Sequence, residues 1–131
     1  MSGFSSAAMM LGDNRTIFRL IGANMNTTAD QLFVPAFAFT NYIIDRIIVT
    51  NVSTSLTLAA GGIYTTTAKG GTAIVSAAQV YSGLTGATKV MNATVAAAGQ
   101  DLMTALNLYL SLTTAQGGAA TADFYIMGIA G

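Results

Sequence analysis

Leu106-Asn107-Leu108-Tyr109-Leu110-Ser111-Leu112 decides the fold. Leucine alternates with Asn107, Tyr109 and Ser111, and a period of two places all four leucines on one face of a sheet. Upstream, Thr16 to Ala23 alternates in the same way, with Phe18 and Leu20 on one face and Ile17, Arg19 and Ile21 on the other. Tyr42 to Asn51 is rich in isoleucine and valine and carries Asp45-Arg46 in its middle. Neighbouring strand residues point to opposite faces, so this pair is not expected to form an ion pair.

Further strands are expected at Ser55 to Ala59, Gly62 to Thr66, Thr88 to Ala96 and Asp123 to Ile129. Gly61-Gly62, Gly70-Gly71, Gly83, Gly86, Ala98-Gly99 and Gly117-Gly118 read as the turns between them. Short strands punctuated in this way predict an all-β fold, an antiparallel β-sandwich or a jelly-roll-like barrel. One segment breaks the pattern. Ile74, Ala77, Ala78 and Tyr81 recur at helical spacing, which predicts one short helix over Thr72 to Tyr81, closed by Gly83. Pro35 demotes Phe33 to Phe39 to an edge strand or an irregular entry. Residues 1–14 read as an extended N-terminal arm, and residues 15–131 as a single β-sandwich domain.

Composition narrows the function. The chain has 131 residues, of which 53% are hydrophobic and only 8% charged, and its formal net charge is zero. Ordinary soluble domains carry about 25% charged residues, and a charge-poor surface favours association. A homo-oligomer explains that shortage if neighbouring subunits cover much of the surface. The uncharged run Ile47 to Ala68 is long enough to raise a membrane helix. Its Thr50, Asn51, Ser53, Thr54, Ser55 and Thr57, followed by Gly61-Gly62, suit strands instead, so no membrane partner is expected.

The catalytic repertoire is thin. Histidine, cysteine, tryptophan and glutamate are absent, which removes the commonest general base and the thiolate ligands. The five acidic residues are Asp13, Asp30, Asp45, Asp101 and Asp123, scattered along the chain. Several sit in turn-like contexts, where aspartate usually caps local backbone. Lys69-Gly70-Gly71-Thr72 lacks the spacing of a phosphate loop, although its backbone amides leading into a helix would suit an anion. No loop has the dense acidic pattern of a helix-loop-helix calcium site. Four Asn-x-Ser/Thr acceptors, at Asn14, Asn26, Asn51 and Asn92, are what chance gives in so threonine-rich a chain. Arg15, Arg19, Arg46, Lys69 and Lys89 form no basic stripe, so nucleic acid is not an expected partner. The expectation is a protein that is not an enzyme and uses no cofactor or metal.

One pattern goes beyond composition. Ser55-Leu-Thr-Leu-Ala-Ala-Gly-Gly-Ile-Tyr64, Lys69-Gly-Gly-Thr72, Tyr81-Ser82 with Leu84-Thr85, Leu108-Tyr-Leu-Ser-Leu-Thr113 and Ala122-Asp123 resemble small proteins encoded among the structural genes of tailed phages and prophages. The resemblance spans about the last two-thirds of the chain and contains no catalytic motif. It implies a virion component, and small β-proteins in that position are often capsid decoration or cement proteins. These bind the major capsid protein on the outer head surface as trimers and tie neighbouring capsomers together. A tail, collar or fibre component shares the composition argument, and a carbohydrate-binding β-sandwich is a further alternative. Within the arm, Phe4, Met9, Met10 and Leu11 are the candidate assembly contacts, because methionine adapts to irregular surfaces and an extended segment can add a strand to a neighbour's sheet.

Overall fold

The computed structural model describes residues 14–131. The candidate contacts Phe4, Met9, Met10 and Leu11 lie outside the described residues. The strands are β1 (Arg15–Asn24), β2 (Gln31–Leu32), β3 (Val34–Pro35), β4 (Tyr42–Thr50), β5 (Ala60–Thr66), β6 (Gly70–Val75), β7 (Val90–Ala93), β8 (Tyr109–Thr114) and β9 (Thr121–Ala130). They form two antiparallel sheets, a five-stranded one in the order β3-β1-β9-β4-β7 and a four-stranded one in the order β2-β8-β5-β6. The sheets face each other as a sandwich, and neither closes into a barrel.

The inner faces follow the alternation that defines the strands. Leu108, Leu110 and Leu112 are fully buried, and Ile63 of β5 lies beside Leu110. Across the gap stand Phe124 and Ile126 of β9 with Ile47 and Val49 of β4. Edge-to-face aromatic contacts tie the layers. Phe124 meets Phe33 at 6.1 Å and Tyr81 at 5.6 Å between ring centroids. Such pairs add to the area they bury. Leu106 does not join the row: it precedes β8 and stays 45% exposed.

Two bulges revise the expected facing of side chains. In β1 the register slips between Thr16 and Phe18, so Ile17 turns inward with Phe18 and both are fully buried. In β4 it slips between Ile44 and Arg46. Asp45 is the extra residue, and it shares the outward side with Arg46, whose Nε lies 4.0 Å from its carboxylate. The pair expected to diverge is in contact because a bulge cancels the alternation.

Three further expectations fail for physical reasons. The helix predicted over Thr72 to Tyr81 is not formed: Gly70–Val75 is strand β6, and Ala77-Ala78 form an exposed turn in which the Ala78 amide donates to Ser76 Oγ at 3.1 Å. The helical spacing arises from a strand followed by a turn, and pairing with β5 overrides alanine's propensity. Among the described residues the helical element is the short 3₁₀ turn Ala97–Gln100. Gly61-Gly62 is not a turn but the start of β5, where Gly61 has φ +151° and lies against the Leu112 backbone. A Cβ on Gly62 would overlap the Val75 carbonyl, so this pair permits close strand approach. Ser55 to Ala59 is irregular, fixed by the Leu56 amide on Leu84 O at 3.0 Å and by Gln116 Oε1 accepting from the Leu58 and Ala59 amides. Pro35, as expected, sits on an edge strand.

Candidate functional site

The outer face of the five-stranded sheet carries an apolar strip along β9 and β4, flanked by polar and charged residues. Registers across β1, β9 and β4 align Arg19 with Tyr125 and Ile48, Thr16 with Met127 and Arg46, and Ile129 with Ile43. Ile21 continues the outward row of β1 beyond Arg19. Ile21 is 57% exposed and Ile43 47%, while Ile48, Tyr125, Met127 and Ile129 are half-buried only by one another and their strand neighbours. No described element packs over them. Residues 124–129 read Phe-Tyr-Ile-Met-Gly-Ile, apolar in both phases of the strand period, which is the pattern of a strand covered on both sides. That signal was present in the sequence and pointed to this face. The charges there are Arg19, Arg46 and Asp45. The Asp45–Arg46 contact is long and more than half exposed, so it contributes little.

The outer face of the four-stranded sheet is mixed, with Leu32, Tyr109 and Tyr64 in one row, and its hydroxyl-bearing part is internally pinned. Ser111 and Gly62 lie opposite each other, as do Tyr109 and Tyr64. The β5–β6 hairpin turns through Ala68 and Lys69 at φ +57° and +59°, with the Gly70 amide donating to Thr67 O at 3.2 Å. Paired positive φ values make this a type I′ turn, the form that matches strand twist. The Lys69-Gly70-Gly71 segment is therefore a hairpin tip and leads into no helix. Lys69 Nζ donates to Ser111 Oγ at 3.0 Å and to Thr28 O at 3.5 Å. Asp30 Oδ2 accepts from the Ala68 amide at 2.9 Å. That bond, the Ser111 hydroxyl and the Lys69 charge together hold the Asp30 carboxyl below the usual carboxylate range. Lysine at hydrogen-bond distance from serine is the nearest approach to an activated nucleophile here. Ser111 is only 1% exposed, so its hydroxyl faces no space for a substrate carbonyl. The arrangement works as a latch, joining the hairpin tip to β8 and the loop before β2.

The remaining candidates disperse. Asp123 accepts from the Gly22 amide at 2.7 Å and from Asn51 Nδ2 at 2.9 Å, fixing a β1 bulge. Asp101 accepts from the Leu102 amide at 2.8 Å. Asp13 lies outside the described residues. No cluster of three or more metal-ligating side chains occurs among the described residues. Tyr42 and Tyr81 are core residues whose hydroxyls donate to Ala105 O at 2.5 Å and Gly61 O at 3.0 Å, and burial pushes both pKa values up.

A cleft of about 520 Å³ opens beside β4, lined by Ile44, Asp45, Arg46, Ala93, Thr94, Val95 and Gln100. It lies where the ladder is interrupted. The pairing of β4 with β7 reaches only Ile47–Ala93, and the next partner along β4 is the Tyr42–Met103 bridge. Comparisons with protein-family models, curated proteins and solved structures found no match for this chain.

Proposed function

We propose that this chain is a structural protein of a virus particle, a capsid decoration or cement protein that binds the outer head surface as a trimer. The observation that carries the reading is the outer face of the five-stranded sheet, where Ile21, Ile43, Ile48, Tyr125, Met127 and Ile129 face outward in a chain with 8% charged residues. Contiguous apolar surface with few charges is the composition of a subunit contact. The resemblance of residues 55–123 to structural proteins of tailed phages supplies the viral setting. The chemistry is physical: apolar burial contributes about 25 cal/mol per Å², less the cost of association, and many such contacts add up over a shell. The occupant of the face is a second copy of the chain, because a face whose charges are only Arg19, Arg46 and Asp45 repels its copy little, where a strongly charged one would repel it.

Sedimentation tests this. The natural chain at micromolar concentration should sediment as an oligomer, and Met127→Lys should shift it toward monomer. Thr113→Lys, on the opposite sheet, should leave it unchanged. A natural chain that remains monomeric across the concentration range would refute the proposal. Labelled protein should map to the head surface, and labelling of the tail instead would replace decoration with a tail role.

A further inference from the structure

We infer that the interrupted interval of β4 is an acceptor site for residues Ala8–Leu11 of a neighbouring subunit, which add there as a short antiparallel strand. The inference rests on the assembly reading and names the partner segment that completes it.

The site is a gap in a sheet. Residues 94–102 leave β7, cross to the other sheet, where the Ala96 amide donates to Ile74 O at 2.7 Å, and return at Met103. Tyr42 exchanges both backbone bonds with Met103, at 3.0 and 2.8 Å. Its orientation recurs two residues on, so the Ile44 amide and carbonyl also face this side, and no described strand pairs with them there. Backbone groups beside a preformed cleft are the recognition element of strand addition. Both flanking partners, β7 and Met103, run antiparallel to β4, which sets the polarity of an inserted strand.

The rim selects an uncharged, apolar segment. Ile43 is 47% and Leu102 58% exposed beside the gap, and Val95 lines its wall. Ala8-Met9-Met10-Leu11 carries no charge and matches the four-residue gap from Ile43 to Arg46. Residues of one subunit cannot fill their own gap in this way. Arg15 pairs with Gly128, and Gly128 with Ile44, so Arg15 stands level with Ile44 but three strand positions from the gap. At ~4.8 Å per strand that is about 14 Å. The stretch from Leu11 to Arg15 spans about 14 Å only when fully extended. The direct line runs through β9 and β4, and the way around is lengthened by Gly131, whose amide donates to Asn41 O at 3.1 Å. A neighbouring subunit is under no such limit.

The chain has no cysteine, so an introduced pair reports cleanly. Full-length Met10→Cys and Thr94→Cys chains, mixed and mildly oxidised, should yield a disulfide between positions 10 and 94 of different chains. It should form at least about ten-fold faster than in a mixture of Met10→Cys with Thr67→Cys, following the gain expected from docking at high effective concentration. No excess over that control overturns the inference, and so does a link formed only within single chains of the double variant. Met9→Pro/Met10→Pro gives a second reading. Adjacent residues alternate in a ladder, so one of the two prolines must remove a needed amide, and self-association should weaken about ten-fold. Unchanged association overturns the site. Sedimentation of the same natural chain separates the two claims: an oligomer without the link sinks only the docking of Ala8–Leu11, whereas a monomer sinks the assembly reading itself.

Discussion

The five-stranded and four-stranded sheets contribute to the core in the same manner and differ on the faces they turn outward. Inward, Phe124 and Ile126 of one meet Leu110, Leu112 and Ile63 of the other, all fully buried. Outward, β9 and β4 present Tyr125, Met127, Ile129, Ile43 and Ile48, whereas β8 and β5 present Ser111, Gly62 and the hydroxyl-bearing Thr113 beside Tyr109 and Tyr64. The four-stranded face is satisfied within the subunit, because Lys69, Asp30 and the hairpin tip close over it. Nothing equivalent covers the five-stranded face among the described residues. A sheet that pins its own outer surface needs no partner, and one that leaves isoleucine and methionine outward gains from having one.

The largest effect should come from neighbouring residues on opposite faces of β9. Phe124→Ala removes a fully buried ring that packs on Phe33 and Tyr81, and should cost about 3–5 kcal/mol in denaturant unfolding. Tyr125→Ala should cost under about 1 kcal/mol of subunit stability while weakening self-association. Equal losses of subunit stability at the two positions would erase the distinction between inner and outer faces.

How much of this was legible in the sequence depends on the range of the information each feature needs. The row Leu108, Leu110, Leu112 is a local pattern and was readable, as was the edge position of Pro35. Residues 124–129 also carried their two-sided apolar character openly. The inward turn of Ile17 and the Asp45–Arg46 contact were not readable, because a bulge is set by register against a partner strand. Gly61-Gly62 misled for a different reason. Glycine serves turns and close strand approach alike, and only the Val75 and Leu112 backbones decide between them. The latch joins residues 30, 69 and 111, from three separate elements, and no spacing rule links them.

The second effect sharpens the polar face. Ser111→Ala removes the hydroxyl that receives Lys69 and serves Asp30, and should cost about 1 kcal/mol, the net value of a typical intramolecular hydrogen bond. Hydrogen exchange should locate the loosening at the β5–β6 hairpin rather than across the core. Protection lost equally in β9 would mean that the latch holds the sandwich together and not just its tip.

The smallest effect separates the two faces by pH. The Asp30 carboxyl is held below the usual range, first by the Ala68 amide, then by Ser111 and by the Lys69 charge. A folded-state pKa lower than the unfolded one gives stability that is fully present above the unfolded value, about 4, and is lost as pH falls through the folded value. Asp30→Asn should therefore be slightly less stable than the natural chain at neutral pH, and the difference should close below pH ~4. Asparagine can still accept from the Ala68 amide, so only the charge-dependent part is removed, and high salt should shrink it further. Asp45→Asn is the matched change on the apolar face. Its partner Arg46 stands 4.0 Å away with both side chains more than half exposed, so the unfolding curve at neutral pH should match that of the natural chain. A loss of stability at neutral pH in Asp45→Asn equal to that in Asp30→Asn would show that both outer faces are stabilised by their own charges. The apolar sheet would then have no special need of a neighbour.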